Sequence, residues 1–499
     1  MKIQSLIGVV LGSLALLALG GCGDTKLDSQ GLTELLNQQE EALINLESGT
    51  YDGSFVIQHA VTLRGAEDGT TLLQANEGAV LRVEGNPTKI RLENLTIASS
   101  HIGLLAEFDG DLELYNVNFQ SASGVGAYIH NVNNLSVHGT NFEGSLAADQ
   151  LTDKIESFSA SEFAVIGLYV DDVSQANLSS VNVSGYAGMP AIFHRTNLIW
   201  AEGTVSNNAG LTVVIETSEA ILSNVTIHDS LQSTVEGSVE PVGLAVTDSA
   251  TVTTTNLKIE NLGGHGLIQD NGQSSHSGLT VTNAKYAGIW VQDSALDGGP
   301  ALLLEDESNI AGNHGSGIVF LDSTGLELQD TSLSGSVPLE TPLQMDNVMP
   351  VSDGLHLQAA SGVVALNNVT VSGNERVGVL LCGGMDTVLP EAIQMSAVTI
   401  SVPGEDSAGL FTQNGIAPSE NWDVNDNASE TAPFEMAPVN LKADFIGTNG
   451  FVGQNGFTGQ NGFTGQNGFV GQNGIIGENA SVGQMGFTGQ NGFTGQNGK

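Results

Sequence analysis

The residues with the most scope for chemistry fall into two columns keyed to one recurring motif. A glycine followed by an apolar–x–apolar run occurs as GLYV (167–170), GLAV (243–246), GLIQ (266–269), GIWV (288–291), GIVF (317–320), GLHL (354–357), GVLL (378–381) and GLFT (409–412). If successive residues alternate between interior and surface, Leu168, Leu244, Leu267, Ile289, Ile318 and Leu410 point inward. The next residue then faces solvent, a column of Tyr128, Tyr169, Phe193, Ile268, Trp290, Val319, His356, Leu380 and Phe411. Flat rings on an open face stack on sugars or anchor a protein. Tyr128, Tyr169, Phe193, Trp290, His356 and Phe411 are therefore the candidate residues for a glycan or protein ligand. The competing reading is satellite core beneath loops or the tail.

A second column follows the same strand. Asn131, Asp172, Asp248, Asp293, Asp322 and Asn414 sit five residues after the motif position, and Asp270 sits four after. Stacked on neighbouring coils, such carboxylates would lie about 5 Å apart, at a cost of roughly 1–3 kcal/mol per pair. Capping of turn N–H groups would relieve that, and so would a hard cation such as Ca²⁺ between Asp172, Asp248, Asp270, Asp293 and Asp322. Both readings stay open, and no cofactor is required.

The elements that must position these columns are short strands. LENLTI (92–97), LYNVNF (114–119), LSSVNV (178–183), LSNVTI (222–227), TTNLKI (254–259), LNNVTV (366–371) and MSAVTI (395–400) repeat a turn residue followed by apolar–x–apolar. Asn94 and Asn116 are 22 residues apart, and Ser180 and Asn224 are 44 apart, two such steps. A period near 22 without intervening helices predicts stacked coils, because one turn buries its apolar face only against the next. About a dozen coils at about 4.8 Å each would be roughly 60 Å long. Irregular spacing predicts loops leaving the coil at 145–162, 231–241, 297–307, 336–352 and 383–394. Leu32, Leu35, Leu36, Leu43 and Leu46 share a helical face, which predicts a capping helix over 31–48.

Gly49–Leu73 together with the two motifs resembles the right-handed parallel β-helix of the pectin-lyase-like superfamily over about residues 30–416. The resemblance implies an all-β solenoid, 49–416, whose open end a helix covers. It also implies a search for polysaccharide chemistry. Asp171-Asp172 and Gly264-His265-Gly266 resemble polygalacturonase motifs, but they lie some four coils apart, and the basic element that should follow is absent. His265 reads as a turn residue. Lyases of the superfamily need cations near an acidic chain, and Arg195 and Arg376 stand isolated in sequence.

The chain has 499 residues, with 13 Lys and Arg against 55 Asp and Glu, a formal charge of −42. That charge repels phosphate backbones and argues against nucleic-acid binding. Lys2 precedes the short apolar run LIGVVLGSLALLALGGC, which resembles a bacterial lipoprotein signal. The resemblance implies a signal peptide over 1–21, a lipidated Cys22, a tether over 22–30 and an outer-membrane anchor, Gly23 standing where an inner-membrane protein carries Asp. Cys382 is then the only other thiol, so the mature chain has no intramolecular disulfide.

An acidic linker over 417–444 leads to nine hexads, from Phe445 to Gly498, with Gly third in each and Phe or Ile first in eight. IGENAS (476–481) resembles the hexapeptide repeat of left-handed β-helices; the alternative is a flexible Gly-rich tail. The Phe-rich tail is a candidate for self-association. The scarcity of basic residues and the aromatic column favour a surface-displayed binding or scaffolding lipoprotein, with a polysaccharide-active hydrolase, lyase or epimerase as the alternative.

Overall fold

Period-2 alternation of apolar and polar residues recurs every coil, and each such run forms a strand that hydrogen-bonds to its counterpart one coil on. The computed structural model describes residues 27–37, 42–122, 124–146, 164–230, 241–294, 299–338, 352–383, 392–403, 407–413, 416 and 419–426. Within them the strands form one sheet of 24 and another of 14, and the paired strands are parallel. Where no loop intervenes the register advances by one coil length, as in Leu267↔Ile289 and Arg91↔Glu113. Insertions stretch the step without breaking the ladder, as in Val213↔Leu244.

The corners are made by residues in the left-handed backbone region. Asn94, Asn116, Ser180, Glu202 and Asn224 have φ between 52° and 56° and bend the long strands that contain them, such as Lys89–Ser99 and Asp111–Ser121. Asn tolerates this conformation because its short amide bonds locally to the backbone. Successive corner amides also bond along the axis, Asn116 Nδ2 donating to Asn94 Oδ1 at 3.2 Å.

Inside runs one continuous apolar column from Leu32 to Ile416. Large side chains stack coil on coil, Phe119 over Phe142 at 4.8 Å and 4°. The motif glycines are dictated by this stacking rather than by φ. A Cβ on Gly288 would lie 2.6 Å from Ile310 Cγ2 and 2.7 Å from the Gly317 carbonyl oxygen. Each such glycine lets its strand pass close under the next coil.

The ends depart from expectation. The helix covers only Ser29–Leu36, with Asp28 accepting from the Gly31 N–H as its N-cap. The chain then turns into strands Ala42–Asn45 and Gly49–Asp52. The reason is the switch to period 2: Ile44 and Leu46 enter the core while Leu43 stays 56 % exposed. At the far end, Val424–Asp426 adds a strand to Val398–Ser401, and Trp422 Nε1 donates to the Ile393 carbonyl at 3.1 Å. The solenoid thus runs past 416 into the expected linker. The expected 297–307 loop also contains a strand, Leu302–Glu305. The described helix is too short to cross a membrane. Cys22 and the 445–499 repeat lie outside the described residues.

Candidate functional site

The outward column is continuous in the 14-stranded sheet: Leu105, Tyr128, Tyr169, Ile192, Val214, Ala245, Ile268, Trp290, Val319, His356, Leu380 and Phe411 are register neighbours in turn. Phe193 is absent from it. It pairs with Val170 and lies in the main core at 5.9 Å from Trp200, so the expectation that Phe193 faces a ligand is corrected. The cause is local. In this coil the position equivalent to Gly167 is Pro190, not a glycine, so no motif glycine marks the register and the outward position two residues on is Ile192, not Phe193.

The column does not present open ring faces. Tyr169, Trp290 and His356 are buried, and Tyr128 and Phe411 are half-buried. Tyr128 and Tyr169 stack on each other at 5.1 Å and 8°, which spends one face of each ring. Trp290 Nε1 donates to Gln292 Oε1 at 2.9 Å, Gln292 Nε2 donates to Asp270 Oδ2 at 2.8 Å, and the His265 ring meets Trp290 edge-on at 5.5 Å. Burial drives the His265 pKa down to about 3, so this imidazole is neutral. It is a strand residue, at the start of His265–Asp270, and not the turn residue its neighbours suggested. His356 is enclosed with Asp353, its Nδ1 at 2.8 Å from Asp353 Oδ2 and its Nε2 at 3.3 Å from Gln358 Oε1.

The carboxylate column is a backbone corner. Asn131, Asp172, Arg195, Thr217, Asp248, Asn271, Asp293, Asp322 and Ala359 all have φ between 44° and 55°. Neighbouring coils alternate acids with Arg, Thr and Asn, so among Asp172, Asp248, Asp293 and Asp322 only the last two are consecutive. The charge stacking expected from spacing is thereby mostly removed. Asp270 is not a corner residue: it lies in the strand one position earlier, buried and bonded to Gln292. Among the described residues no three His, Cys, Asp or Glu side chains gather as a metal-binding set.

Two residues beyond the aromatic column, on the same face, lies the row that spacing alone did not single out. Glu107, His130, Asp171, His194 and Glu216 are register neighbours on five successive coils. Asp171 is 7 % exposed and sits at the junction. Arg195 Nε and Nη2 donate to its Oδ1 at 3.1 and 2.8 Å, and Nη2 also reaches Oδ2 at 3.0 Å. His194 Nδ1 is 2.9 Å from Oδ1, and His130 Nδ1 is 3.2 Å from Oδ2. Both imidazoles keep about a quarter of their surface exposed, 25 % and 27 %.

The electrostatics follow from this geometry. Burial pushes the Asp171 pKa up, but hydrogen bonds from His130 and His194, the His194 charge and Arg195 outweigh it and hold the carboxyl well below its ordinary value. The Asp171 carboxylate at 3.2 Å raises His130 against a smaller opposing effect of burial. Burial pulls His194 down, yet Asp171 and Glu216 together raise it. Tyr128 and Tyr169 are both raised, mainly by burial and then by Asp171, so their phenols stay protonated. The signal in the sequence was the offset four residues past the motif glycine, which gives His130 from Gly126, Asp171 from Gly167 and Asp270 from Gly266.

Residues 166–330 and 242–391 match the family described as a right handed beta helix region, and residues 446–499 match the collagen triple helix repeat. The latter exposes a period inside the hexads: Gly recurs every third residue from Gly447 to Gly498, save at Ala480. Such spacing is what a triple-helix axis admits. No curated protein matches the chain. Among solved structures, the A-module of a mannuronan C-5 epimerase from Azotobacter vinelandii is 14 % identical, with 80 % of this chain and 94 % of that chain covered and a TM-score of 0.38. An exopolygalacturonase from Thermotoga maritima is 10 % identical, covering 81 % and 92 %, with a TM-score of 0.23. Likeness at this level does not extend to activity. From the parallel register, the two sheets and the matched family, the described residues between 42 and 426 form a right-handed parallel β-helix.

Proposed function

We propose that this chain is a polysaccharide-active enzyme that works by acid–base catalysis at Asp171. One observation carries the reading: a buried carboxylate clamped by Arg195 is approached by Nδ1 of two half-open imidazoles from the coils on either side. The Asp171 carboxylate lies beside Nδ1 of both rings, at 2.9 Å for His194 and 3.2 Å for His130. A proton held on the Nδ1 that faces it leaves Nε2 as the nitrogen available to a substrate. Arg195 keeps Asp171 ionised, and the carboxylate in turn raises the basicity of both rings. A protonated ring can donate to a leaving oxygen, and a neutral one can take a proton from water or from carbon. The phenols of half-buried Tyr128 and buried Tyr169 stay protonated, so they serve as neutral hydrogen-bond donors and not as bases. The aromatic column does not favour the binding-platform reading, because its rings are buried or spent on one another.

The test is incubation of the purified chain with a panel of polysaccharides. Reducing ends report hydrolysis, unsaturated ends report elimination, and deuterium taken from solvent reports epimerisation. One of these signals should appear and fall about 10²-fold or more in Asp171→Asn, His130→Gln and His194→Gln. Full activity in folded Asp171→Asn, or no change in any polymer, would sink the reading. We further propose that Cys22 carries a lipid that anchors the chain at the outer membrane; fatty-acid labelling should vanish in Cys22→Ala.

A further inference from the structure

The two sheets differ in what they show to solvent. The outward column of the 14-stranded sheet is mostly buried, whereas five coils of the 24-stranded sheet keep an open, uncharged face. They read TVT (280–282), NIA (309–311), SLS (332–334), TVS (370–372) and TIS (399–401). These strands pair one to one in turn, Thr280↔Asn309, Asn309↔Ser332, Ser332↔Thr370 and Thr370↔Thr399, without a shift of register. The middle residues, Val281, Ile310, Leu333, Val371 and Ile400, are buried in the core, so the flanking side chains point outward. Two straight columns of short polar side chains result, interrupted only by Ala311. Apart from Ser401, none of these polar side chains hydrogen-bonds to another described residue, which leaves their donors and acceptors to solvent. The corner amides differ, since they bond one another along the axis.

The composition of the array excludes most partners. It holds no ionisable residue, in a chain of −42. Paired Lys258 and Glu260 close it off at the preceding coil. Corner acids stand at one edge, where Asp306 accepts from Ser277 and Asp330 from Asn368. The array has no carboxylates to hold a cation, no basic residues for a polyanion, no aromatic or Arg anchors for a protein and no rings for sugars to stack on. What it does have is a period. Coils repeat at about 4.8 Å along the axis, and alternate residues at about 6.6 Å across it. Two oxygens hydrogen-bonded to one tetrahedral water, each at about 2.75 Å, lie about 4.5 Å apart. That is the second-neighbour spacing in ice. Neighbouring hydroxyls in a column are thus placed to share a bridging water, and the rigid core beneath holds this spacing over five coils.

We propose that the 280–401 stretch of the 24-stranded sheet is an ice-binding face, whose two hydroxyl columns anchor a layer of water continuous with the ice lattice. The face needs no conformational change, because its side chains are already set in register by the ladder. It lies on a different sheet from Asp171, so it stands or falls apart from the acid–base reading.

The test uses the full chain and slowly grown ice. A dilute solution is frozen from a cooled surface, and protein in the ice is compared with protein left in the liquid. The wild type should enter the ice, and single crystals held in its solution should grow with facets. Ser334→Tyr raises a ring above the centre of the array, and Thr370→Lys places a charge at an exposed position within it. Each should lose both ice uptake and faceting, with the far-UV circular dichroism of the wild type retained. Thr253→Tyr, on the other outward stretch of the same sheet, should behave as wild type. Exclusion of the wild type from ice would overturn the proposal, as would uptake of folded Thr370→Lys and Ser334→Tyr equal to that of wild type. Retention on crystalline cellulose or chitin without uptake into ice would assign the face to a glycan surface and overturn it as well.

Discussion

Arg195 stands 24 residues after Asp171 and, from a left-handed corner with φ 48°, turns back to clamp that carboxylate one coil away. The pair illustrates how the solenoid builds a site. A strand residue and a corner residue become neighbours because the coil length returns the chain to the same place. Arg376 and Asp353, 23 residues apart, form a second such ion pair between coils, with Nε donating at 2.8 Å. Neither arginine is isolated once the coils are stacked.

Replacing Arg195 by Met should lower the unfolding free energy by about 1–2 kcal/mol. That is less than for a fully buried pair, since the Arg195 side chain is 47 % exposed and both imidazoles remain on Asp171. Urea unfolding followed by far-UV circular dichroism gives the number. An unchanged midpoint would mean that the clamp adds nothing to stability.

The cluster should also set a pH window. His130 and His194 are raised above 6.5 in the folded chain, so their contribution is complete below about pH 6.5 and is lost as pH rises through the folded values. Asp171 is lowered below 3.8, so its contribution is present above that value and is lost as pH falls through the folded one. The stability gap between wild type and Asp171→Asn should therefore be widest between pH 3.8 and 6.5. Above that range it should narrow to what Arg195 contributes. A gap that is flat from pH 4 to 8 would contradict the assigned contacts.

A buried polar pair in the core offers a stabilising change. His276 is fully buried with Nδ1 at 2.8 Å from Thr254 Oγ1, and its Nε2 has no hydrogen-bond partner among the described residues. Burial lowers its pKa to about 3. Replacing both partners by apolar residues, Thr254→Val with His276→Leu, should raise stability by about 1 kcal/mol at pH 7. The gain should grow on acidification from pH 6.5, because only the unfolded wild type then takes up a proton on this imidazole. Thermal unfolding at pH 7 and pH 5 would show it, and a double variant less stable than wild type at both would refute it.

Gly288→Ala should cost about 1–3 kcal/mol by overpacking. The added methyl would press on Ile310 and on the Gly317 carbonyl of the following coil. By contrast, Gly69→Ala meets nothing within 4 Å, and its strain comes only from φ 72°. Comparing the two by chemical denaturation separates crowding between coils from backbone strain.

Much of this was legible from local spacing. The 22-residue step, the alternation within strands and the recurring turn residues are enough to specify stacked parallel coils, because each is imposed by contact with an identical neighbour. The capping role of Leu32 and Leu36 was legible for the same reason. The Asp and Asn corner positions were visible as a column, but their purpose was not. It is a backbone conformation, repeated also at Arg195, Thr217 and Ala359.

By itself, then, the sequence determined the parallel solenoid and its acidic character. Only the tertiary structure decided which residues share a row across insertions. It put Ile192 in the outward column and Phe193 in the core, buried Trp290 and His356, and joined His130, Asp171, His194 and Arg195. The physical reason is that a coil's register is fixed by backbone pairing with its neighbours, while inserted loops and missing glycines shift the linear count without shifting the ladder.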